Sequence, residues 1–372
     1  MDVMGRIASP GDRITDVAGI LVGHHERIDD DAVVASPDGT QPGRGWATGT
    51  TVVRIDAPDA VCAVDVRGGG PGTRETDLLD PVNTVQTAHA IVLSGGSAYG
   101  LAAADGVMLG LEAGGIGLPM DDRGHVVPIV PGAVIFDLPV GAWDHRPDAG
   151  FGRAALAAVT ADVEVGSVGA GAGARAGAVK GGVGTASVTL TDGPAAGVTV
   201  GALMVANPVG SVIDPSTGLP WGATSSDIDH FGLGVPAADE VARYAELTAK
   251  QTVLNTTIGV VATDAVLDAA STRRVAMAGH DGLARAIDPA HSPLDGDTVF
   301  AVSTRTTRPE QPPVPGGMNP DVALLAEVSR VAAVVVQRAI VGAVLAATPV
   351  AGVPTYADIV PSAWRGYRGP AE

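Results

Sequence analysis

Hydrophobic positions along the chain fall into two kinds of run. The first kind is short, β-branched and bounded by Gly, Pro or Asp. It includes "TGTTVVRI" (48–55), "AVCAVDVRGGG" (60–70), "AIVLSGG" (90–96), "GVTVGALMVANPVG" (197–210), "LNTTIGVVAT" (254–263) and "TVFAVST" (298–304), and it predicts buried strands. "ITDVAGILVGHH" (14–25) reads as a strand with a turn, and 126–141 as a strand broken by prolines. The second kind is longer and rich in Ala and Leu: 97–115 predicts a helix packed tightly on a sheet, 266–287 a helix, and 321–348 a long, mostly buried helix. The Gly/Ala-rich stretch 166–190 keeps Val, Lys and Thr at intervals and ends as a strand, so it is expected to be ordered. Residues 1–13 read as a flexible tail, and 236–250 as a helical surface linker leading into "LNTTIGVVAT". Strands and helices alternate without a break, which predicts one domain over 14–348 and a C-terminal extension over 349–372.

Composition narrows this picture. Aromatic residues are only 3%, so the core of this 372-residue chain must be built from Ala, Val, Leu and Ile, with 51 glycines permitting close backbone contact. A formal net charge of −18 and the absence of a basic run argue against a nucleic-acid partner. The segment 321–348 is long enough to span a bilayer, but Glu327, Arg330, Gln337 and Arg338 interrupt it, so a buried helix is expected and no membrane partner. The single cysteine, Cys62, excludes an internal disulfide and thiolate zinc clusters. With no basic start followed by an apolar stretch at the N-terminus, it also points to the cytoplasm.

The opening of "LNTTIGVVAT" carries the first candidate chemistry. Asn255-Thr256-Thr257 reads as a plain strand start, as a glycosylation acceptor, or as a self-cleavage site. The third reading has a chemical rationale: a Thr hydroxyl is a poor nucleophile without a base, and an N-terminal Thr carries one in its own α-amine. Attack of Thr256 on the Asn255 carbonyl would liberate that amine and give chains 1–255 and 256–372. Asp295 and Asp297 share a face in an extended chain and read as a solvated turn, a weak cation site, or carboxylates that orient the Thr256 amine and shuttle a proton. Lys180 lies among glycines in "GAVKGGVG", which fails the Walker pattern; it reads as a surface lysine or as a fixed cation beside an oxyanion. Asn207, at a strand end before Pro208, reads as a turn residue or an oxyanion donor. In "SGGSAYG", Gly95, Gly96 and Ser97 miss the nucleophile-elbow pattern and read as a tight turn whose N–H groups face a pocket.

Eight stretches in order, "GTTVV", "DVRGGGPGTRETDLL", "LSGGSAYGLAAADGV", "VPIVPGAVIFDL", "GAVKGGVGTAS", "VANPVG", "NTTIGVVATDA" and "PLDGDTVFAVST", resemble the L-aminopeptidase/D-esterase (DmpA-type) family. That family includes β-peptidyl aminopeptidases and is related to the nylon-oligomer hydrolase. The resemblance covers about residues 14–348. It implies an α/β (α+β) fold, a four-layer αββα sandwich resembling N-terminal-nucleophile hydrolases and ornithine acetyltransferase. It implies self-cleavage between Asn255 and Thr256 and catalysis by Thr256 with Asn207, Lys180, Asp295 and Asp297. Phe136 stands where some members have a site tyrosine, and Asp295 and Asp297 where some have Ser and Glu. The implied activity is hydrolysis of short peptides, amino-acid amides or esters, without cofactor or metal, in a homo-oligomer such as a tetramer of processed pairs. The alternatives are an acyltransferase of the ornithine-acetyltransferase type and an uncleaved small-molecule binding protein.

Overall fold

A computed structural model describes residues 7–8, 11–247, 255–367 and 369. Two sheets dominate it. The larger runs in the order Ile7–Ala8, Gly182–Leu190, Thr199–Ala206, Ile258–Ala265, Thr298–Thr307, Val61–Val66. Its neighbours are antiparallel except Ile258–Ala265 and Thr298–Thr307, which run parallel because the helix Ala269–Ala286 carries the chain back between them. The smaller sheet runs Ile20–Ile28, Ala47–Ile55, Ala90–Ser94, Gly132–Val134, Thr73–Arg74.

Period-2 alternation decides how these sheets stack. In Thr199–Ala206, Leu203 and Val205 enter the same core as Ile258, Val260 and Phe300 of the large sheet and Val53, Ile91 and Leu93 of the small one, so the sheets pack face to face. Their neighbours Ala202 and Met204, with Val261 and Val299, turn to the other face, against the helices Ala269–Ala286 and Val322–Leu345. Val52, Ala90 and Val92 of the small sheet likewise meet Ala103, Val107 and Leu111 of the helix Ala103–Ala113, with Ala155 of Ala149–Ala157. The result is the four-layer αββα sandwich that the resemblance implied.

The shortage of aromatic residues is matched by close layer spacing. A Cβ on Gly184 would lie 2.0 Å from the Ala339 carbonyl oxygen, so the helix Val322–Leu345 rests directly on the strand backbone. Among the described residues this helix is the one long and apolar enough to cross a membrane, yet it is a core element. Its polar residues are accounted for internally: Arg338 Nε donates to Asp227 Oδ1 at 2.9 Å and Gln337 Nε2 to the Gly222 carbonyl at 2.6 Å. Cys62 is buried between the sheets, where burial pushes its thiol up to about 12.

Both chain ends differ from expectation. Within the predicted tail, Ile7–Ala8 pair with Thr189 and Leu190 of the large sheet's edge, and just after it Ile14 N–H donates to Thr185 Oγ1 at 2.8 Å. An open sheet edge offers hydrogen bonds that local sequence does not advertise. Of the expected C-terminal extension, the described residues 349–367 join the core: Tyr356, Val360 and Ala363 are buried in the large sheet's outer core, and the Pro354 carbonyl accepts from Lys180 N–H at 2.8 Å. Of the predicted linker, Ala238–Glu246 is a helix, and 248–254 lie outside the described residues.

Candidate active site

The sheet register gathers the candidate residues. Gly182 pairs with Ala206, Val205 with Ile258, and Ile258 with Thr298. Lys180 precedes the first of these strands, Asn207 follows the second, Thr256 precedes the third, and Asp295 and Asp297 precede the fourth. All five therefore come to one end of the large sheet, and all are buried.

The Asn255–Thr256 peptide is fixed from several sides. Asn255 N–H donates to the Leu294 carbonyl at 3.1 Å, and Gly296 N–H donates to the Asn255 carbonyl at 3.0 Å. Thr256 Oγ1 donates to that same carbonyl oxygen. Thr256 N–H donates to the main-chain carbonyl of Asn207 at 3.1 Å. The two carboxylates hold main-chain N–H groups around Thr256. Asp297 Oδ1 accepts from Thr257 N–H at 2.8 Å, and its Oδ2 accepts from His291 N–H at 3.0 Å with His291 Nδ1 at 2.9 Å. Asp295 accepts from Val209 N–H at 3.0 Å and from Ser292 N–H at 3.2 Å. His291 takes a left-handed φ of 54°, a strained conformation for a non-glycine residue, to make this contact.

The glycine-rich loop after Val61–Val66 closes over these residues. Gly68 N–H donates to the Asp297 carbonyl at 3.2 Å and Gly70 N–H to the Asp295 carbonyl at 2.8 Å. Close approach here requires glycine: a Cβ on Gly68 would lie 2.3 Å from Asp297 N, and one on Gly296 would lie 2.8 Å from Thr256 Oγ1.

Asn207 bridges two parts of the site. Its Oδ1 accepts from Arg175 N–H at 2.9 Å, while Nδ2 donates to the Phe136 carbonyl at 3.3 Å and reaches Asn255 Oδ1 at 3.5 Å. Lys180 Nζ donates to the carbonyls of Gly171 at 2.7 Å and Gly181 at 2.9 Å, which commits two of its three donors. Burial pulls its ammonium down to about 7, opposed by the nearby Asp137 carboxylate and reinforced by Arg175. Asp137 is itself pushed up to about 6 by burial, against the pull of Thr48 Oγ1 at 2.6 Å and Gly96 N–H at 2.6 Å.

A cavity of about 140 Å³ opens beside Thr256, lined by Asn255, Ser97, Phe136, Gly70 and Gly72 among others. Of the pocket residues expected from the sequence, Ser97 and Phe136 line it. Gly95 and Gly96 do not: their N–H groups go to the Gly49 carbonyl and to Asp137, and Ser97 N–H goes to the Ile135 carbonyl. The turn's donors are consumed inside the protein instead of facing the pocket. Sequence reasoning reached the glycines of "RGGGPGTRETD" (67–77) as a place of close backbone approach and missed Gly296, Asp137, Arg175 and His291. The Gly296 contribution is a backbone N–H and leaves no side-chain signal; Asp137 lay inside a quoted motif, next to Phe136, and was legible as a lone acid in an apolar run.

The profile of peptidase family S58 matches residues 12–356. An uncharacterized aminopeptidase of Mycobacterium tuberculosis is 55% identical over 356 residues, 94% of this chain and 98% of that protein. A 6-aminohexanoate-oligomer endohydrolase of Kocuria sp. is 34% identical over 267 residues, 69% of each chain. Among solved structures, an L-aminopeptidase D-Ala-esterase/amidase from Ochrobactrum anthropi, described as a variant of the Ntn hydrolase fold, superposes with a TM-score of 0.67 at 21% identity, covering 96% of this chain and 91% of that one. A β-aminopeptidase of Burkholderia sp. gives 0.66 at 22%, covering 94% and 92%. These two likenesses speak for the fold.

Proposed function

The chain belongs to peptidase family S58, and from that premise we propose that it is an autoprocessed N-terminal-threonine amide hydrolase with Thr256 as nucleophile. One observation carries the reading: the Thr256 hydroxyl faces the carbonyl of its own preceding residue, and Gly296 N–H holds that carbonyl oxygen at 3.0 Å. A buried donor aimed at an oxygen that gains charge on attack is the arrangement acyl transfer requires.

In the maturation step, Thr256 Oγ1 bonds to the Asn255 carbonyl carbon, and Gly296 N–H stabilises the oxyanion. The C–N bond breaks, and the departing nitrogen takes up the hydroxyl's proton. Water then hydrolyses the ester, leaving the Asn255 carboxylate and a free Thr256 amine and hydroxyl. That amine titrates near pH ~8 in an unperturbed chain, which suits a general base at neutral pH. Asn255 lines the pocket, so withdrawal of its new carboxyl end vacates room for a substrate's acyl group.

In turnover, Thr256 Oγ1 attacks the substrate carbonyl while the α-amine takes the proton and passes it to the leaving amine. Water releases the acyl group from Thr256. Asn207 supplies an amide donor beside the vacated Asn255 side chain, and Lys180, held on the Gly171 and Gly181 carbonyls at the same end of the large sheet, supplies positive charge when protonated. Asp297 fixes Thr257 and so the start of the nucleophile's strand. The names of the relatives, an aminopeptidase and a 6-aminohexanoate-oligomer endohydrolase, support cleavage of an amide bond in a peptide or oligomer, and the small pocket beside Thr256 favours short ones.

Intact mass of the denatured protein with N-terminal sequencing tests the reading. Two fragments are expected, one beginning Thr-Thr-Ile-Gly, and Thr256→Ala is expected to remain one chain and to hydrolyse no amide. Cleavage and hydrolysis by Thr256→Ala at the wild-type level would remove Thr256 from the mechanism.

A further inference from the structure

Asp297 is held on both oxygens, and the two sides face different parts of the molecule. Its Oδ1 accepts from Thr257 N–H at 2.8 Å, the first peptide after the nucleophile. Its Oδ2 accepts from His291 N–H at 3.0 Å and from the His291 ring at Nδ1, 2.9 Å away. A carboxylate accepts, so Nδ1 carries the proton of that imidazole. The terminal torsion of an Asp side chain is soft, and a single contact leaves the carboxylate plane free to swing about it. Grips on both oxygens remove that freedom.

The His291 ring is itself fixed. Its left-handed φ of 54° brings the N–H and the ring to the same oxygen. His280, from the helix Ala269–Ala286, packs edge to face on it with ring centroids 4.9 Å apart. His280 is fully buried, and its Nε2 donates to the Asp65 carbonyl at 3.0 Å. Burial lowers the proton affinity of His280 to about 4, so its ring is neutral at pH ~7 and serves as a wall. Asp65 and Arg67, the charged groups beside His280, pair with each other at 2.8 Å. Among the described residues, His291 Nε2 is buried without a partner. A buried ring nitrogen left unpaired costs stability, which marks the ring as placed for the bond its other nitrogen makes.

We infer that His291 is a positioning residue: through Asp297 and Thr257 it fixes Thr256 in the matured site. The inference rests on Thr256 being the nucleophile and adds what holds it after cleavage. In the uncleaved chain Thr256 is anchored covalently on both sides. Maturation cuts the bond to Asn255, and the covalent anchor that remains is Thr257. The hydroxyl and the amine must then keep their attack geometry from one side only, where a misplacement of about an ångström costs roughly 10² in rate. Neither His291 nor Asp297 lines the pocket beside Thr256, so substrate binding does not pass through them. The mark of this role is a fall in kcat that exceeds the loss in self-cleavage and leaves KM in place.

Three substitutions separate the ring nitrogen from the loop that carries it. Asn places an amide nitrogen where Nδ1 stands and tolerates a positive φ, Gln places it one bond further out, and Gly removes the side chain while easing the backbone. Against L-alanine 4-nitroanilide, fully matured His291→Gly and His291→Gln are expected to lose at least about tenfold in kcat with KM within about twofold. Their self-cleavage is expected to slow by less, and His291→Asn to stay within about threefold of wild type in both steps. Equal losses in the Asn and Gln variants, or wild-type kcat in the Gly variant, overturn the inference. A second readout needs no turnover. In a Thr256→Ala background, hydrogen–deuterium exchange at the Thr257 amide reports its bond to Asp297 directly. Protection is expected to fall at least about tenfold with His291→Gly and His291→Gln and to hold with His291→Asn. Unchanged protection in all three folded variants overturns the positioning role, whatever the activity of the enzyme. The expected exchange pattern, in a protein whose wild type neither self-cleaves nor hydrolyses amides, sustains the hold of His291 on Thr257 and counts against Thr256 as nucleophile instead.

Discussion

Replacing Gly296 with alanine tests the site at its tightest point. The added Cβ would lie 2.8 Å from Thr256 Oγ1, 2.8 Å from the Gly70 carbonyl oxygen and 3.0 Å from Pro71 Cα. Restoring ordinary contact at 3.4 Å needs a movement of about 0.6 Å, as 3.4 minus 2.8. Gly70 and Pro71 present main-chain atoms that cannot rotate aside, so the Thr256 hydroxyl yields first. The same shift moves the Gly296 N–H that holds the Asn255 carbonyl. Loss of one such donor slows acyl transfer by roughly 10²–10³, and a misplacement of about an ångström costs roughly 10² by itself. Self-cleavage of Gly296→Ala is therefore expected to slow by about 10²-fold, about 2.7 kcal/mol on the barrier. Overpacking is expected to lower stability by about 1–3 kcal/mol. The assay is intact mass against time on freshly synthesised protein, with thermal melting to confirm a folded variant. A folded Gly296→Ala chain that matures at the wild-type rate would refute the role given to this N–H.

Three further outcomes follow from buried charges. The folded-state affinity of Asp137 for its proton is raised, to about 6, so its contribution to stability is full below pH ~4 and is lost as pH rises toward 6. Urea denaturation should show stability falling by on the order of 3 kcal/mol across that window, and Asp137→Asn should flatten the slope. Lys180 has the opposite sign: with its folded value lowered to about 7, stability is regained as pH rises from 7 toward 10, and a wild-type curve without that recovery would count against the buried ammonium. Arg338 and Asp227 form a buried ion pair at 2.9 Å, so Arg338→Ala should cost about 3–5 kcal/mol and leave self-cleavage intact once folded. A double-mutant cycle with Asp227→Ala is expected to give a total loss smaller than the sum, and strict additivity would show that the pair is uncoupled.

By itself, the sequence determined the elements and the nucleophile candidate. Continuous β-branched runs specified the strands Ala47–Ile55, Val61–Val66, Ala90–Ser94, Thr199–Ala206, Ile258–Ala265 and Thr298–Thr307, because a strand between two packed layers must be apolar on both faces. The long apolar run at Val322–Leu345 specified a buried helix, and the structure set it directly on the strand Gly182–Leu190. Asn255-Thr256 stood out because a polar pair opening a buried strand needs a reason. Tertiary structure decided what surrounds that pair. The Gly296 donor, the Gly68–Gly70 clamp, the Asp137–Lys180 field and the bond from Arg175 N–H to Asn207 join segments that lie far apart in the chain. It also decided that Ile7–Ala8 caps a sheet edge and that Tyr356 completes a core. Periodicity and propensity are local and can be read residue by residue. Backbone donors carry no side-chain signature, and the partners of a buried charge are chosen by register between strands, which exists only once the sheets have stacked.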